Sequence, residues 1–149
     1  MFIKHLKQLY CFRDSDVSIK VDKGKGGSPS NIVSDANKVM GEYIKRIVVL
    51  DNDRTDKEMK EGRIVAKRLG IKIIENTPCL EFMLLKILGR RIQGDLNSVE
   101  YKKEFEMEYI KRSDEMERYM SLFPKPLLNR RRKEILELNS LLNILENDV

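Results

Sequence analysis

Apolar residues recur at three- and four-residue spacing from the first turn of the chain, at Phe2, Ile3, Leu6, Leu9, Tyr10 and Phe12, which predicts an amphipathic helix starting almost at residue 1. From Val17 to Val21 apolar residues alternate with Ser18 and Lys20, the pattern of a short half-buried strand. Lys23-Gly24-Lys25-Gly26-Gly27-Ser28-Pro29-Ser30 interrupts any regular element. Ser28 or Ser30 can then cap a helix carrying Ile32, Val33, Ala36, Val39 and Met40, ended by Gly41. Tyr43 to Leu50 finishes in the unbroken run Ile47-Val48-Val49-Leu50, as a central strand covered on both faces does. Asp51 to Asp56 leads into a helix from Lys57 to Leu69, stopped by Gly70. A second strand, Ile71-Lys72-Ile73-Ile74, follows, and Asn76-Thr77-Pro78 opens an apolar helix from Cys79 to Leu88. After a loop from Gly89 to Asn97, one long charged helix is predicted from Val99 to about Leu122, with Phe105, Tyr109, Met116 and Met120 as its packing stripe. Phe123-Pro124-Lys125-Pro126 breaks it before a last helix from Leu127 to Leu145.

Strands alternating with helices imply parallel pairing, so the pattern predicts an α/β layer over residues 1–97 followed by a C-terminal helical pair over residues 98–149. The length of 149 residues suits a domain with its own core, needing neither metal nor disulfide to hold it. No apolar run reaches 18 residues, and Lys4, His5 and Lys7 stand where a signal peptide would be apolar, so no membrane partner is expected and a cytoplasmic location is. Cys11 and Cys79 are in no zinc-like spacing and His5 is the single histidine, so any metal here would be bound by oxygen. The net charge of +5 arises wholly before residue 76. The densest basic run, Lys125 with Arg130, Arg131, Arg132 and Lys133, contains no acid and no interleaved aromatic residue. It is either a solvated helix start or a contact for phosphate, and base stacking is not suggested.

The strongest local chemistry is Asp51-Asn52-Asp53 at the end of the predicted central strand, where open α/β sheets bind ligands. If extended geometry persists through Asp53, residues two apart point the same way and the two carboxylates face one hard cation such as Mg²⁺ or Mn²⁺. The same three residues are also ordinary turn and helix-cap composition. The Gly24 to Ser30 loop lies between a predicted strand and a helix, a setting for phosphate, with Lys23 and Lys25 beside it. It lacks the Gly-Lys-Ser/Thr ending of a nucleotide triphosphate loop, which favours a connection over a phosphate site. Cys79 stands at a helix start among Leu80, Phe82 and Met83, which favours a buried small hydrophobe over a nucleophile. Glu81 in the same first turn either complements the helix dipole or reaches the Asp51 edge.

Three spaced segments together resemble the RloB-like family, which is related to TOPRIM domains: Gly26-Gly27-Ser28-Pro29, Val48-Val49-Leu50-Asp51-Asn52-Asp53, and Asn76-Thr77-Pro78-Cys79-Leu80-Glu81-Phe82. The closing Asn129-Arg130-Arg131-Arg132-Lys133-Glu134-Ile135, continued to Leu145, is similar to the family's final basic-then-leucine helix. The resemblance implies a TOPRIM-like parallel sheet flanked by helices, Mg²⁺ (or Mn²⁺) as cofactor, and nuclease activity in bacterial defence against phage by abortive infection. By position, Asp51 and Asp53 match the family's metal-binding DxD and Glu81 the acid of its Pro-Cys-x-Glu segment, so the three are the catalytic candidates; Lys23, Lys25, Arg130, Arg131 and Arg132 are the candidate contacts for phosphate or nucleic acid. The partners implied are nucleic acid, an ATPase of the AAA or ABC type, and a second copy of the chain. One departure matters: the family's first strand and the Glu at its end have no counterpart here. Without that Glu, hydrolysis by this mechanism is expected to be disabled. Without its strand, the Ile47 to Leu50 strand is expected to carry an unpaired edge through which copies pair. A misassigned start, a truncated gene and a strand supplied by a partner each account for the departure. The competing expectation is a non-catalytic interaction subunit that docks an ATPase or nucleic acid through its C-terminal helices. A CheY-like receiver fits less well, because the acidic pair after a first strand and a convincing switch lysine are missing.

Overall fold

The computed structural model describes residues 1–11, 17–90, 96–110 and 116–146. Its described residues form eight helices and two strands: α1 (Phe2–Tyr10), α2 (Pro29–Lys38), β1 (Ile47–Asp51), α3 (Asp56–Leu69), β2 (Lys72–Asn76), α4 (Leu80–Ile87), α5 (Ser98–Glu108), α6 (Met116–Leu122), α7 (Lys125–Arg131) and α8 (Leu136–Leu145). The chain is therefore mixed α/β with a small parallel sheet. It divides into two compact units, residues 22–80 and residues 1–21 with 81–149.

Residues 22–80 form an α/β unit. α2 starts at Pro29, whose missing N–H costs nothing in a first turn, and the Ser28 side chain accepts from the Asn31 N–H. α3 starts with a full capping box, the Thr55 hydroxyl accepting from Glu58 N–H while the Glu58 carboxylate accepts from Thr55 N–H, and ends at left-handed Gly70. The two helices meet where α3 carries Gly62: a Cβ there would stand 2.5 Å from Pro29 Cβ, so only glycine lets the backbones approach this closely.

β1 and β2 pair in parallel, with Ile47 opposite Lys72 and Asp51 opposite Asn76. Paired residues of a parallel ladder share a face. Val48, Leu50 and Ile73 therefore line one face, which packs with Val33 of α2, Met59 and Ala66 of α3, and Ile71. Val49, Asp51, Ile74 and Asn76 line the other, on which Ile74 and Asn76 are buried. The sheet has buried residues on both faces, although each strand alone shows only alternate burial. The strand expected from Tyr43 starts at Ile47 instead, and Ile44 is 91% exposed. The alternation from Val17 to Val21 forms no strand among the described residues, and Val17 is exposed. Among the described residues β1 pairs with β2 alone.

The other unit is helical. α1 presents Phe2, Leu6 and Tyr10 at four-residue spacing, all buried, and His5 Nε2 lies 2.8 Å from the Phe123 carbonyl oxygen. The Phe2 and Phe123 rings meet edge to face at 5.3 Å. The helix expected from Val99 to Leu122 is α5 and α6, with residues 111–115 outside the described residues, as is Phe12 of the expected first helix. The last helix is also divided, into α7 and α8, by a turn through Arg132 to Glu134 and extended Ile135. The break is stabilised by Arg132, which reaches across it: Nε donates to Asn139 Oδ1 at 2.9 Å, Nη2 to Asn143 Oδ1, and Nη1 and Nη2 to both oxygens of Glu146 at 3.0 and 2.9 Å. Neither Cys11 nor Cys79 is in a disulfide, and Cys79 is fully buried.

Candidate metal centre

The predicted acidic turn sits at the carboxyl end of β1. β1 ends at Asp51, and Asn52 is a bend, so extended geometry does not continue to Asp53 and the two-residue alternation alone does not align the carboxylates. What joins here is more than a DxD pair. The Asn52 N–H still bonds the Asn76 carbonyl at 2.8 Å, holding the turn against the end of β2. Asp51 is half-buried and its Oδ1 accepts the Leu80 N–H at 2.8 Å, tying the turn to the start of α4. Arg54 donates from Nη2 to the Gly27 carbonyl at 3.3 Å, tying it to the glycine loop. Segments around residues 27, 51 and 76–80, read separately in the sequence, thus meet at one end of the α/β unit.

Each group is positioned by its local sequence. β-branched Ile47, Val48 and Val49 favour the strand that carries Asp51. Gly26 and Gly27 have φ of 82° and 103°, left-handed values that glycine adopts without a Cβ clash, and they deliver the chain to Ser28 at the start of α2. Lys23 and Lys25 are exposed beside this loop, and Asp53 is exposed.

The remaining candidates lie in the helical unit. Glu81 stands in the first turn of α4, where its carboxylate adds to burial in pushing the Tyr119 phenol above its usual range. Among the described residues no three His, Cys, Asp or Glu side chains gather as a metal-holding group. Arg131 donates from Nε to the Ile87 carbonyl at 3.0 Å and pairs with Glu134 at 3.3 Å, and Arg132 is held by Glu146. Two of the three guanidiniums expected to contact phosphate are thus occupied within their own unit, while Arg130 is exposed.

Sequence reading missed Asn76. It is 1% exposed, stands opposite Asp51 in the ladder, and its buried Oδ1 accepts no hydrogen bond. The available signal was an amide residue at the end of the second strand, which parallel pairing brings beside the acid ending the first. Comparison of the chain with family models, with curated proteins and with solved structures returns no significant match in any of the three. The site therefore stands on its geometry and on the motif resemblance.

Proposed function

We propose that this chain is a divalent-cation-binding, nuclease-type α/β domain of the RloB-like, TOPRIM-related kind, incomplete for hydrolysis with the groups described. The observation that supports this reading most is the convergence of the Asp51–Asp53 turn, the glycine loop through Arg54, and the β2 end at the carboxyl edge of a parallel pair, the usual ligand-binding edge of such sheets. The donor chemistry suits a hard cation: Asp51 and Asp53 offer carboxylate oxygens. A bound Mg²⁺ or Mn²⁺ would polarise a phosphoryl oxygen and lower the pKa of water. The chain's own contribution is to hold Asp51 in place through the Leu80 N–H and to present Lys23, Lys25 and the α2 start to phosphate oxygens. Proton transfer to the leaving oxygen needs a further acid, to be supplied by another segment or chain. The setting in phage defence and the partner ATPase rest on the resemblance alone.

Calorimetric titration of Mg²⁺ and Mn²⁺ into the full chain tests this, alongside Asp53→Ala, whose exposed side chain leaves the fold intact, and the Asp51→Ala/Asp53→Ala pair. Saturable heat weakened in the single variant and lost in the double one is the expected result. No saturable binding in the parent chain would overturn the reading in favour of a non-catalytic interaction subunit, in which Asp51 serves only to hold Leu80.

A further inference from the structure

We propose that the outer face of α3 is a docking surface for the phosphate backbone of a nucleic-acid duplex, contacted by Lys57, Lys60, Lys67 and Arg68 around Ile64. This goes beyond the proposed function: it names a surface outside the acidic turn and the glycine loop, and it stands whether or not the Asp51 edge binds a cation.

Three observations carry it. First, Met59, Gly62 and Ala66 are the buried side of α3, and Lys57, Lys60, Ile64, Lys67 and Arg68 recur in three- and four-residue steps on the opposite side, all exposed. From Lys57 to Arg68 the helix rises about 16 Å, enough to face several phosphates of one strand. Second, helix stability does not account for the row. Lys57 stands in the first turn, where the dipole disfavours a cation; Lys57 with Lys60, and Arg63 with Lys67, put like charges one turn apart. Only Lys67 and Arg68, in the last turn, complement the dipole. Third, the charge is left for a partner. Arg63 is paired with Glu75 at 2.7 Å, and Glu58 is used in the Thr55 capping box. Asp56 and Glu61 flank the first half of the row, and no acid follows before Glu75. Among the described residues the side chains of Lys57, Lys60, Lys67 and Arg68 make no hydrogen bond or ion pair.

A repeating polyanion suits such a row. A membrane-surface helix needs a broad apolar face, and the outer side of α3 offers Ile64 alone, 58% exposed. Protein partners are anchored by aromatic side chains, of which α3 has none. The same lack of aromatics favours a duplex held by its backbone over a stacked single strand.

Fluorescence anisotropy of a short labelled DNA duplex, and of an RNA duplex of the same sequence, tests this with the full chain in EDTA, so that a failed cation site cannot affect the result. Lys57→Gln/Lys60→Gln should weaken binding at least about fivefold and lower the salt dependence by about two ions. Lys38→Gln/Lys45→Gln removes the same charge from exposed positions off α3 and should leave the salt dependence unchanged. Glutamine is as good a helix former as lysine, so Lys57→Gln/Lys60→Gln should melt at the temperature of the parent chain or above it. Binding of either duplex supports the proposal, and the ratio of the two affinities assigns DNA or RNA. Equal losses in the two double variants would reduce the effect to net charge and overturn it. So would a parent chain that binds neither duplex at low salt, phosphatidylserine vesicles bound through Lys57 and Lys60 instead, or polyglutamate that displaces the duplex at equal charge concentration. The cation reading of the Asp51 edge survives each of these, because it is decided by Mn²⁺ binding.

Discussion

The basic run from Lys125 to Lys133 and the acidic turn from Asp51 to Asp53 are both short, both dense in charge and both set at element boundaries, yet the fold treats them differently. In the basic run the Lys125 ammonium lies over the Tyr10 ring at 4.9 Å, Arg131 holds the Ile87 carbonyl and Arg132 holds Glu146. Only Arg130 and Lys133 are exposed. In the acidic turn Asp53 is exposed, and the buried oxygen of Asn76 stands beside Asp51. The contrast follows from donor chemistry. A guanidinium has five donors in a fixed fork and finds acceptors in any packed helical unit, where carbonyls and amides are plentiful. The acidic turn is held by a single backbone donor instead of a fork, the Leu80 N–H on Asp51 Oδ1 at 2.8 Å.

The comparison breaks if Arg132 is not a structural staple. Arg132→Ala leaves Glu146, Asn139 and Asn143 without their shared donor, in a pair whose side chains are 18% and 23% exposed. A loss of about 2–3 kcal/mol in stability is expected from chemical denaturation. Arg132→Lys should recover less than half, because an ammonium cannot span four acceptors in a plane. A loss under 0.5 kcal/mol would mean the run is a solvated surface after all.

On the other side, the glycine loop reaches the acidic turn only if α2 is correctly seated. Gly62→Ala drives a methyl to 2.5 Å from Pro29 Cβ. Overpacking costs about 1–3 kcal/mol, partly offset by the better helix propensity of alanine, for a net loss of about 1–2 kcal/mol. Because Pro29 follows the glycine loop directly, binding of inorganic phosphate or nucleic acid should weaken in the same variant while Mn²⁺ affinity holds. Equal loss of both would show that the two contacts are one site.

How much of this was legible follows from the range of each contact. The cap of α2, the stop at Gly70 and the parallel pairing are local or periodic signals, and Ser28, Gly70 and the run from Ile47 deliver them as read, whereas the capping box of Thr55 with Glu58, a local signal too, was passed over. The ladder between Asp51 and Asn76 depends on register across 25 residues of chain, which no motif encodes. The long final helix failed for a similar reason. Leucine spacing runs through Leu127 to Leu145 unbroken, and the break after Arg131 is held by Arg132 reaching residues 139, 143 and 146. The alignment of the acidic pair was not legible, since it assumed extended geometry through Asp53 and the strand ends two residues earlier, at Asp51.

Tyr10 sharpens the account of α7 through pH. Burial pushes its phenol up to about 12 from 10.0, with Arg132 opposing and Glu146 adding to the shift. Its hydroxyl donates to Asn129 Oδ1 at 2.7 Å, so the protonated form is the one the fold holds. A raised folded pKa means the folded state keeps its proton where the unfolded state has lost it. The stability it contributes is complete below pH 10 and declines as pH rises from 10 through 12. Denaturation midpoints at pH 9 and pH 11.5 should therefore differ less in Tyr10→Phe than in the parent chain. An ordinary tyrosinate titration by absorbance would contradict it.

The smallest effect on stability belongs to the residues left over from the basic run. Arg130→Ala and Lys133→Ala, both exposed, should each change stability by less than about 0.5 kcal/mol. If this surface contacts a phosphate backbone, each should weaken nucleic-acid binding regardless of sequence, and each should lower the salt dependence by about one ion. Arg132→Ala would then weaken binding only through unfolding, so its effect disappears when fluorescence anisotropy is read at a temperature where the variant is fully folded. A salt slope untouched by Arg130→Ala and Lys133→Ala would move the proposed phosphate contact to Lys23 and Lys25 beside the glycine loop.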